Sequence, residues 1–389
     1  MKSKSLLRML SLGMALALLV LAGCSSTKPT TPAPSGGGEA PKGDIIIGAA
    51  LPTTGSSAKM GQDMSQAIQM AMDEINAAGG VLGRKLKLEV HDAACDAQAA
   101  VAAANKIVSI GAVAAVSGYC SGAFLPTEPV YNNAKVGVVV PAANAVKLTE
   151  QKFPVINLMN PTNADQARIA AGYMVDTWKA KKIAIIHDNS AFSKELADLT
   201  RENLKGKAEV VAFEAVTPGE KDFSATLTAI KGKAPDAIFW TAYYAEGGLI
   251  IKQARGLGIT ARIIVGDGSN DASLIDIAGK DNAEGVAVTT TPAAGDFANA
   301  KDWIPKYKAK YGDPGPYSAQ AYDATYVIAE AIKKAGSTDR EAVSKAIRQT
   351  NYKGLTGNVA FTDTGNRKDG YFIVLEVKGG KFVTVQGAK

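Results

Sequence analysis

The stretch Val113-Ala-Ala-Val116-Ser117-Gly118-Tyr119-Cys120-Ser121-Gly122, echoed by Val136-Gly-Val-Val-Val140-Pro141-Ala142-Ala143-Asn144, decides how this chain is read. In each, a continuous apolar run of strand length stops and opens into small and polar residues. A strand that is apolar on both faces belongs inside a parallel sheet covered by helices. A loop of this kind leaves backbone N–H groups unpaired at the start of the next helix, where the helix dipole favours negative charge. Two such junctions at the carboxyl ends of neighbouring parallel strands make a carboxylate-binding site. The plainer reading is a pair of ordinary strand-to-helix turns, and these residues alone leave both open.

Outward from this stretch the same alternation continues. Ile45-Ile-Ile-Gly-Ala-Ala-Leu51 reads as a fully buried strand. Gln62 to Ala78 carries apolar residues at helical spacing (Met64, Ala67, Ile68, Ala71, Met72, Ile75) and ends at Gly79-Gly80. Leu86 to Val90 alternates as a strand, and Asp96 opens an Ala-rich helix running to Ile110. A second set follows Pro161, with helices predicted over 164–178, 193–204, 223–230, 246–256 and 273–278. Strands are predicted over 182–186, 208–213, 236–240, 262–265 and 285–289. After Thr291 come two or three helices, then strand-rich segments around Val359-Ala-Phe361 and Tyr371 to Val377. Strict alternation argues for parallel sheets with helices on both faces, and the count is too high for one open sheet. Two three-layer α/β lobes with a cleft between them are expected.

With 389 residues the chain can form two full cores, and its 47% hydrophobic and 21% charged content is ordinary for a globular protein. Without Lys2, Lys4 and Arg8 of the basic N-terminus, 40 of the 43 basic residues remain against 37 acidic ones. That balance, with no basic stripe interleaved with aromatics, argues against a nucleic-acid partner.

The N-terminus has three parts. A basic start precedes an apolar run from Met9 to Ala22, too short to span a bilayer. It ends in Leu21-Ala22-Gly23-Cys24, which resembles the lipobox of bacterial lipoproteins. The resemblance implies a signal peptide over 1–23, cleaved before a lipidated Cys24. Residues 24–43, rich in Ser, Thr, Pro, Gly and Ala, bury too little to fold and are expected to form a flexible tether. Multiple acyl chains would hold the protein stably to a membrane, on the extracytoplasmic side. The two remaining cysteines, Cys95 and Cys120, each follow a predicted strand. In an oxidising compartment they suggest a disulfide at a shared sheet edge, the alternative being two buried free thiols.

Several segments fall together in one order: Ile47-Gly48 to Gly61, Asp73-Glu-Ile-Asn76-Ala-Ala-Gly79-Gly80, Asp92-Ala-Ala-Cys95-Asp96, Cys120-Ser121-Gly122, Pro141-Ala142-Ala143, Gly219-Glu-Lys-Asp-Phe223 and Arg255-Gly-Leu-Gly258. Over essentially the whole chain from Asp44, this order resembles the leucine/isoleucine/valine-binding proteins, type I periplasmic solute receptors of ABC importers. The resemblance implies an α/β, type I periplasmic-binding fold, with two three-layer lobes joined by a three-strand hinge. One lobe would hold 44–162 plus 292–367, the other 163–291 plus 368–389. It also implies a Cys95–Cys120 bridge. Ser121 and the Ala142-Ala143-Asn144 loop would bind the α-carboxylate of an amino acid, while Tyr243 and Asp267 would bind its ammonium. Met60, Tyr119, Phe192 and Tyr317 would surround its side chain. Asn144 stands where the family has Ser or Thr, Asp267 where leucine-binding relatives have Glu, and Met60 where an aromatic is usual. The implied partners are a small amino acid, permease and ATPase subunits and, through Cys24, a membrane. A monomer without cofactor or metal is expected.

An enzyme would need a catalytic constellation, and the residues offer none that convinces. His91 and His187 each end a strand beside an Asp and read as structural loop residues. His91, Asp92 and Asp96 match no metal-ligand spacing. In Gly118-Tyr-Cys-Ser121-Gly the serine lies one place late for a nucleophile elbow. Gly266-Asp-Gly268 lacks the third glycine of a dinucleotide loop, and there is no Walker A motif. The competing reading is a ligand-sensing protein of the same fold, for amides or other small carboxylates.

Overall fold

The computed structural model describes residues 43–386. The expected signal peptide, Cys24 and all of the expected tether except Gly43 lie outside the described residues. The first five strands are β1 (Ile45–Leu51), β2 (Leu86–Asp92), β3 (Ala114–Val116), β4 (Gly137–Val140) and β5 (Ile156–Leu158). They form one parallel sheet in the order β2-β1-β3-β4-β5. The next five are β6 (Lys182–His187), β7 (Glu209–Ala215), β8 (Ala237–Trp240), β9 (Arg262–Val265) and β10 (Ala287–Thr290). They are parallel in a second sheet, completed by the antiparallel strands β13 (Ile373–Lys378) and β14 (Lys381–Gln386). Its order is β14-β13-β10-β9-β8-β6-β7. A small antiparallel ribbon pairs β11 (Asn351–Gly354) with β12 (Gly357–Ala360).

Most central strands are apolar because helices cover both faces, and in β10 the buried Thr289 and Thr290 hydroxyls accept from the Gln166 and Asn270 amides. Every residue of β3, β4, β8 and β10 is buried. Trp240, at the end of β8, is the largest fully buried side chain. Its indole N–H donates to the Tyr243 carbonyl at 2.9 Å, which satisfies the polar atom of a buried Trp and fixes the turn after the strand. Helices after residue 300 return to the first sheet. Ser318–Ala335 packs on Ala58–Ala77, β3 and β4, and Arg340–Arg348 packs on β4. The chain therefore passes between the two sheets three times, near Pro161, near Thr291 and near Gly370. These crossings lie side by side, tied by the Arg367 guanidinium to the Met159 carbonyl (3.1 Å) and by the Gln320 amide to the Pro292 carbonyl (2.9 Å).

The structure departs from sequence expectation in four places. The strand β5 was not expected, because Asn157 interrupts a three-residue run. Asn157 is nonetheless buried, donating to the Val138 and Val155 carbonyls and accepting from Arg348 Nε at 2.7 Å. The helix expected over 164–178 is α-helical only over Asn163–Gly172 and widens into a π-turn at Tyr173–Thr177. There the rings of Tyr173 and Trp178 pack edge-on, 5.2 Å apart. The edge strands β11 and β14 were missed, since half-exposed strands carry no continuous apolar run. Finally, Cys95 and Cys120 do form a disulfide, with Cα atoms 5.3 Å apart, but not between neighbouring strands. β2 and β3 flank β1 on opposite sides, so the bridge spans the carboxyl end of β1.

Candidate functional site

The loops after β3 and β4 stand side by side, since the two strands are parallel neighbours with Val116 opposite Val139. Gly118 makes the first turn possible. Its φ of +104° suits glycine, and a Cβ there would press on Val140 and the Phe124 ring. The bend brings Ser121 beneath the second loop, where its Oγ accepts from the N–H groups of Asn144 and Ala145, each at 3.3 Å. The N–H of Ala143 donates to the Gly118 carbonyl at 3.3 Å, and the Asn160 amide holds the carbonyls of Pro141 and Ala142. The two loops are thus one hydrogen-bonded unit, tied to β2 through the Cys95–Cys120 bridge.

Across the cleft, three strand ends of the second sheet supply side chains. Phe192 lies in the first turn of the helix Ala191–Leu204, which follows β6. Tyr243 precedes the helix Tyr244–Gly256 after β8, and Asp267 opens the turn after β9. Gly268 fits closely beside it, since a Cβ there would meet the Tyr243 ring at 3.0 Å. Tyr317 comes from the start of the helix Ser318–Ala335.

Tyr119, Ala142, Asn144, Phe192, Tyr243, Asp267, Gly268 and Tyr317 line one small cavity, with room for about one water molecule. Ring centroids lie 5.9 Å apart for Tyr119–Tyr243 and Tyr119–Tyr317, and 5.6 Å for Phe192–Tyr243. Asp267 is 2% exposed. Its Oδ2 accepts from Asn144 Nδ2 at 2.9 Å and from the Tyr317 hydroxyl at 3.1 Å, whereas Oδ1 is buried without a partner. Burial pushes the Asp267 carboxyl up to about 6, partly offset by neighbouring donors. Burial first, and the neighbouring Asp267 charge among other causes, holds the Tyr119, Tyr243 and Tyr317 hydroxyls well above their ordinary range. They remain protonated donors.

The structure brings together seven of the ten residues expected at the site. Of the other three, Ser121 and Ala143 lie just behind the cavity wall, within the hydrogen-bonded loops. Met60 is fully buried in the core under the helix Ala58–Ala77 and does not line the cavity. Sequence reasoning passed over Gly268, although a glycine on each side of a strand-end Asp marks a place where backbone packs closely. It also missed the direct Asn144–Asp267 contact, whose partners are 123 positions apart.

His187 packs against Phe213 (5.0 Å) and accepts at Nδ1 from the Asn189 N–H, and burial pushes its pKa down. Asp92 accepts from the N–H groups of Thr53, Thr54 and Ala94, and Asp96 caps the following helix. Among the described residues no cluster of His, Cys, Asp and Glu could hold a metal ion. No helix among them is long and apolar enough to cross a membrane.

The chain belongs to the periplasmic binding protein family, whose model matches residues 44–381. A leucine-, isoleucine-, valine-, threonine- and alanine-binding protein of Pseudomonas aeruginosa is 33% identical over 334 residues, covering 85% of this chain and 89% of that protein. A Leu/Ile/Val-binding protein of Rhizobium johnstonii is 35% identical over 348 residues, covering 88% and 94%. Among solved structures, a branched-chain amino acid substrate-binding protein of Streptococcus pneumoniae in complex with isoleucine superposes with a TM-score of 0.81. It is 29% identical, with 88% of this chain and 100% of that one covered. The fold is the type I periplasmic-binding fold, two αβα lobes about a hinge.

Proposed function

We propose that this protein captures a small aliphatic amino acid, of the branched-chain class, between its lobes and delivers it to the permease and ATPase subunits of an ABC importer. The observation that carries this reading is the buried carboxylate of Asp267, one oxygen unpartnered, facing the Ser121 and Ala142–Asn144 loops across an aromatic-walled cavity. A zwitterion leaving water needs each charge paired separately, or desolvation defeats binding. In this reading Asp267 pairs with the ammonium, with Tyr243 beside it, while the Ser121 hydroxyl and the loop N–H groups receive the carboxylate, the N–H groups exchanging their present acceptors, Ser121 Oγ and the Gly118 carbonyl, for the ligand. Tyr119, Phe192 and Tyr317 then bound the side chain. The names of the relatives support the ligand class. The lobes are taken as 44–162 plus 292–367 and 163–291 plus 368–389. Cys24 carries the lipid anchor, residues 24–43 are the tether, and a monomeric, non-enzymatic receptor works on the extracytoplasmic side.

A thermal-shift panel of amino acids, amides and small carboxylates tests the reading. A ligand at a hundredfold its Kd adds about 2.7 kcal/mol of stability, a shift of a few degrees in a chain of this size. Leucine, isoleucine and valine are expected to give the largest shifts. A panel in which no amino acid moves the transition sinks the proposal.

A further inference from the structure

Asp267 and its cavity are buried between the lobes, so a ligand can enter only when the lobes part. Contacts that join the lobes outside the cavity therefore bear on how long a ligand stays. One of these is a carboxylate. Glu195 lies on the helix Ala191–Leu204 beside the second sheet, yet its side chain leaves that lobe. Its Oε2 accepts from the Val146 N–H at 2.7 Å and from Asn163 Nδ2 at 2.9 Å, while Oε1 faces the Lys147 N–H at 3.4 Å. Val146 follows Asn144 by two residues, on the loop after β4. Asn163 stands just past the first crossing, and it also donates from its backbone to the Asn144 carbonyl (2.9 Å) and from its side chain to the Phe192 carbonyl (3.2 Å).

Glu195 is thus held by donors from the opposite lobe and from the hinge, none of them on its own helix. Hydrogen bonds to an ionised group are stronger than neutral ones, and the backbone N–H groups of Val146 and Lys147 at the turn Lys147–Glu150 suit a negative charge. Parting the lobes pulls the carboxylate off both N–H groups. Nothing in the geometry brings Glu195 to the cavity wall, so it does not choose among ligands.

We propose that Glu195 is a positioning residue that latches the closed form, holding the Asn144 loop against the Phe192 helix and so setting the rate of ligand release. The inference rests on the binding-protein reading, and its test separates the two. Wild type, E195A, E195Q and E195K are compared by stopped-flow release of leucine and by small-angle scattering without ligand. E195A is expected to release leucine about tenfold faster, with the rank order of the amino-acid panel unchanged. E195Q should stay within about threefold of wild type, because an amide oxygen can still accept from Val146 and Asn163. In ligand-free scattering E195A and E195K should be more extended than wild type, E195K the more so, with E195Q unchanged. Wild-type release and wild-type dimensions in both E195A and E195K overturn the latch, as does an E195Q that behaves like E195A. If wild type binds no amino acid, the functional reading fails, and the scattering series alone decides the latch.

Discussion

On the rim that follows β3 and β4, the groups facing the cleft are the Tyr119 ring, Ala142 and the Asn144 amide, carried on two loops that Ser121, Asn160 and the disulfide hold in place. On the rim that follows β6, β8 and β9 they are a single carboxylate and two aromatic rings, Asp267, Phe192 and Tyr243. The first rim presents only neutral groups, set in place by two main-chain loops hydrogen-bonded to each other. The second concentrates its chemistry in individual side chains. Mutational sensitivity should therefore be lopsided, steep in affinity at the Asp267 rim and visible mainly in stability at the other.

The largest expected effect is at Asp267. Asp267→Ala should weaken amino-acid binding by about 3 kcal/mol, roughly 150-fold, because the ligand ammonium would be left buried without its counter-charge. Calorimetry giving an unchanged Kd would break the comparison at its centre. Next comes the disulfide. Replacing Cys95 and Cys120 together by Ser reopens a loop of 25 residues and should cost about 3 kcal/mol of folding stability by denaturant titration. Affinity should change much less, and an affinity loss matching that of Asp267→Ala would show that the main-chain rim depends on the bridge for its shape.

A pH measurement sharpens the contrast further. Glu128 is fully buried on the main-chain side, and burial pushes its carboxyl up to about 8. Its folded value is above its unfolded one, so its contribution is fully present below about pH 4.5 and is lost as pH rises through about 8. Glu128→Gln should therefore add about 2 kcal/mol of stability at pH 8.5 and little at pH 5, with leucine affinity unaffected. The smallest effect is expected at Tyr317. Tyr317→Phe removes one donor from Asp267 but leaves Asn144, so binding should weaken by only about 1 kcal/mol. A loss as large as that of Asp267→Ala would place Tyr317 among the principal ligand contacts.

Much of this arrangement is written in local pattern. Ile45–Leu51 and Arg262–Val265 form strands with the bounds their apolar runs predict, and Asp96 caps its helix as its side chain allows. What pattern could not carry were relations between distant segments. The order β2-β1-β3 sets the disulfide across an intervening strand, and no spacing of cysteines encodes sheet order. Glu195 sits in Ser193-Lys-Glu195, the ordinary dress of a solvated helix face, and its partner N–H groups belong to residues any chain would have. Asn157 looks like a strand breaker until Arg348, far along the chain, supplies its partner. The cavity residues were reached through family likeness, and Met60 shows the limit of that route, being carried over to a wall it does not line.

The interleaving of the two sheets has a consequence for how the chain is made. All five strands of the first sheet have been synthesised by Leu158, so that sheet can pair from what has already emerged. The second cannot: β10 is available by Thr290, but the antiparallel neighbour that covers its edge begins only at Ile373. For the span between, β10 presents an unpaired hydrogen-bonding edge, the kind of surface on which nascent chains associate. The helices threaded through that interval belong on the other sheet, and they must dock there before β13 returns. Completion of the molecule thus waits on its last two strands, and shortening the chain before Ile373 should trap an aggregation-prone intermediate rather than release a free-standing half.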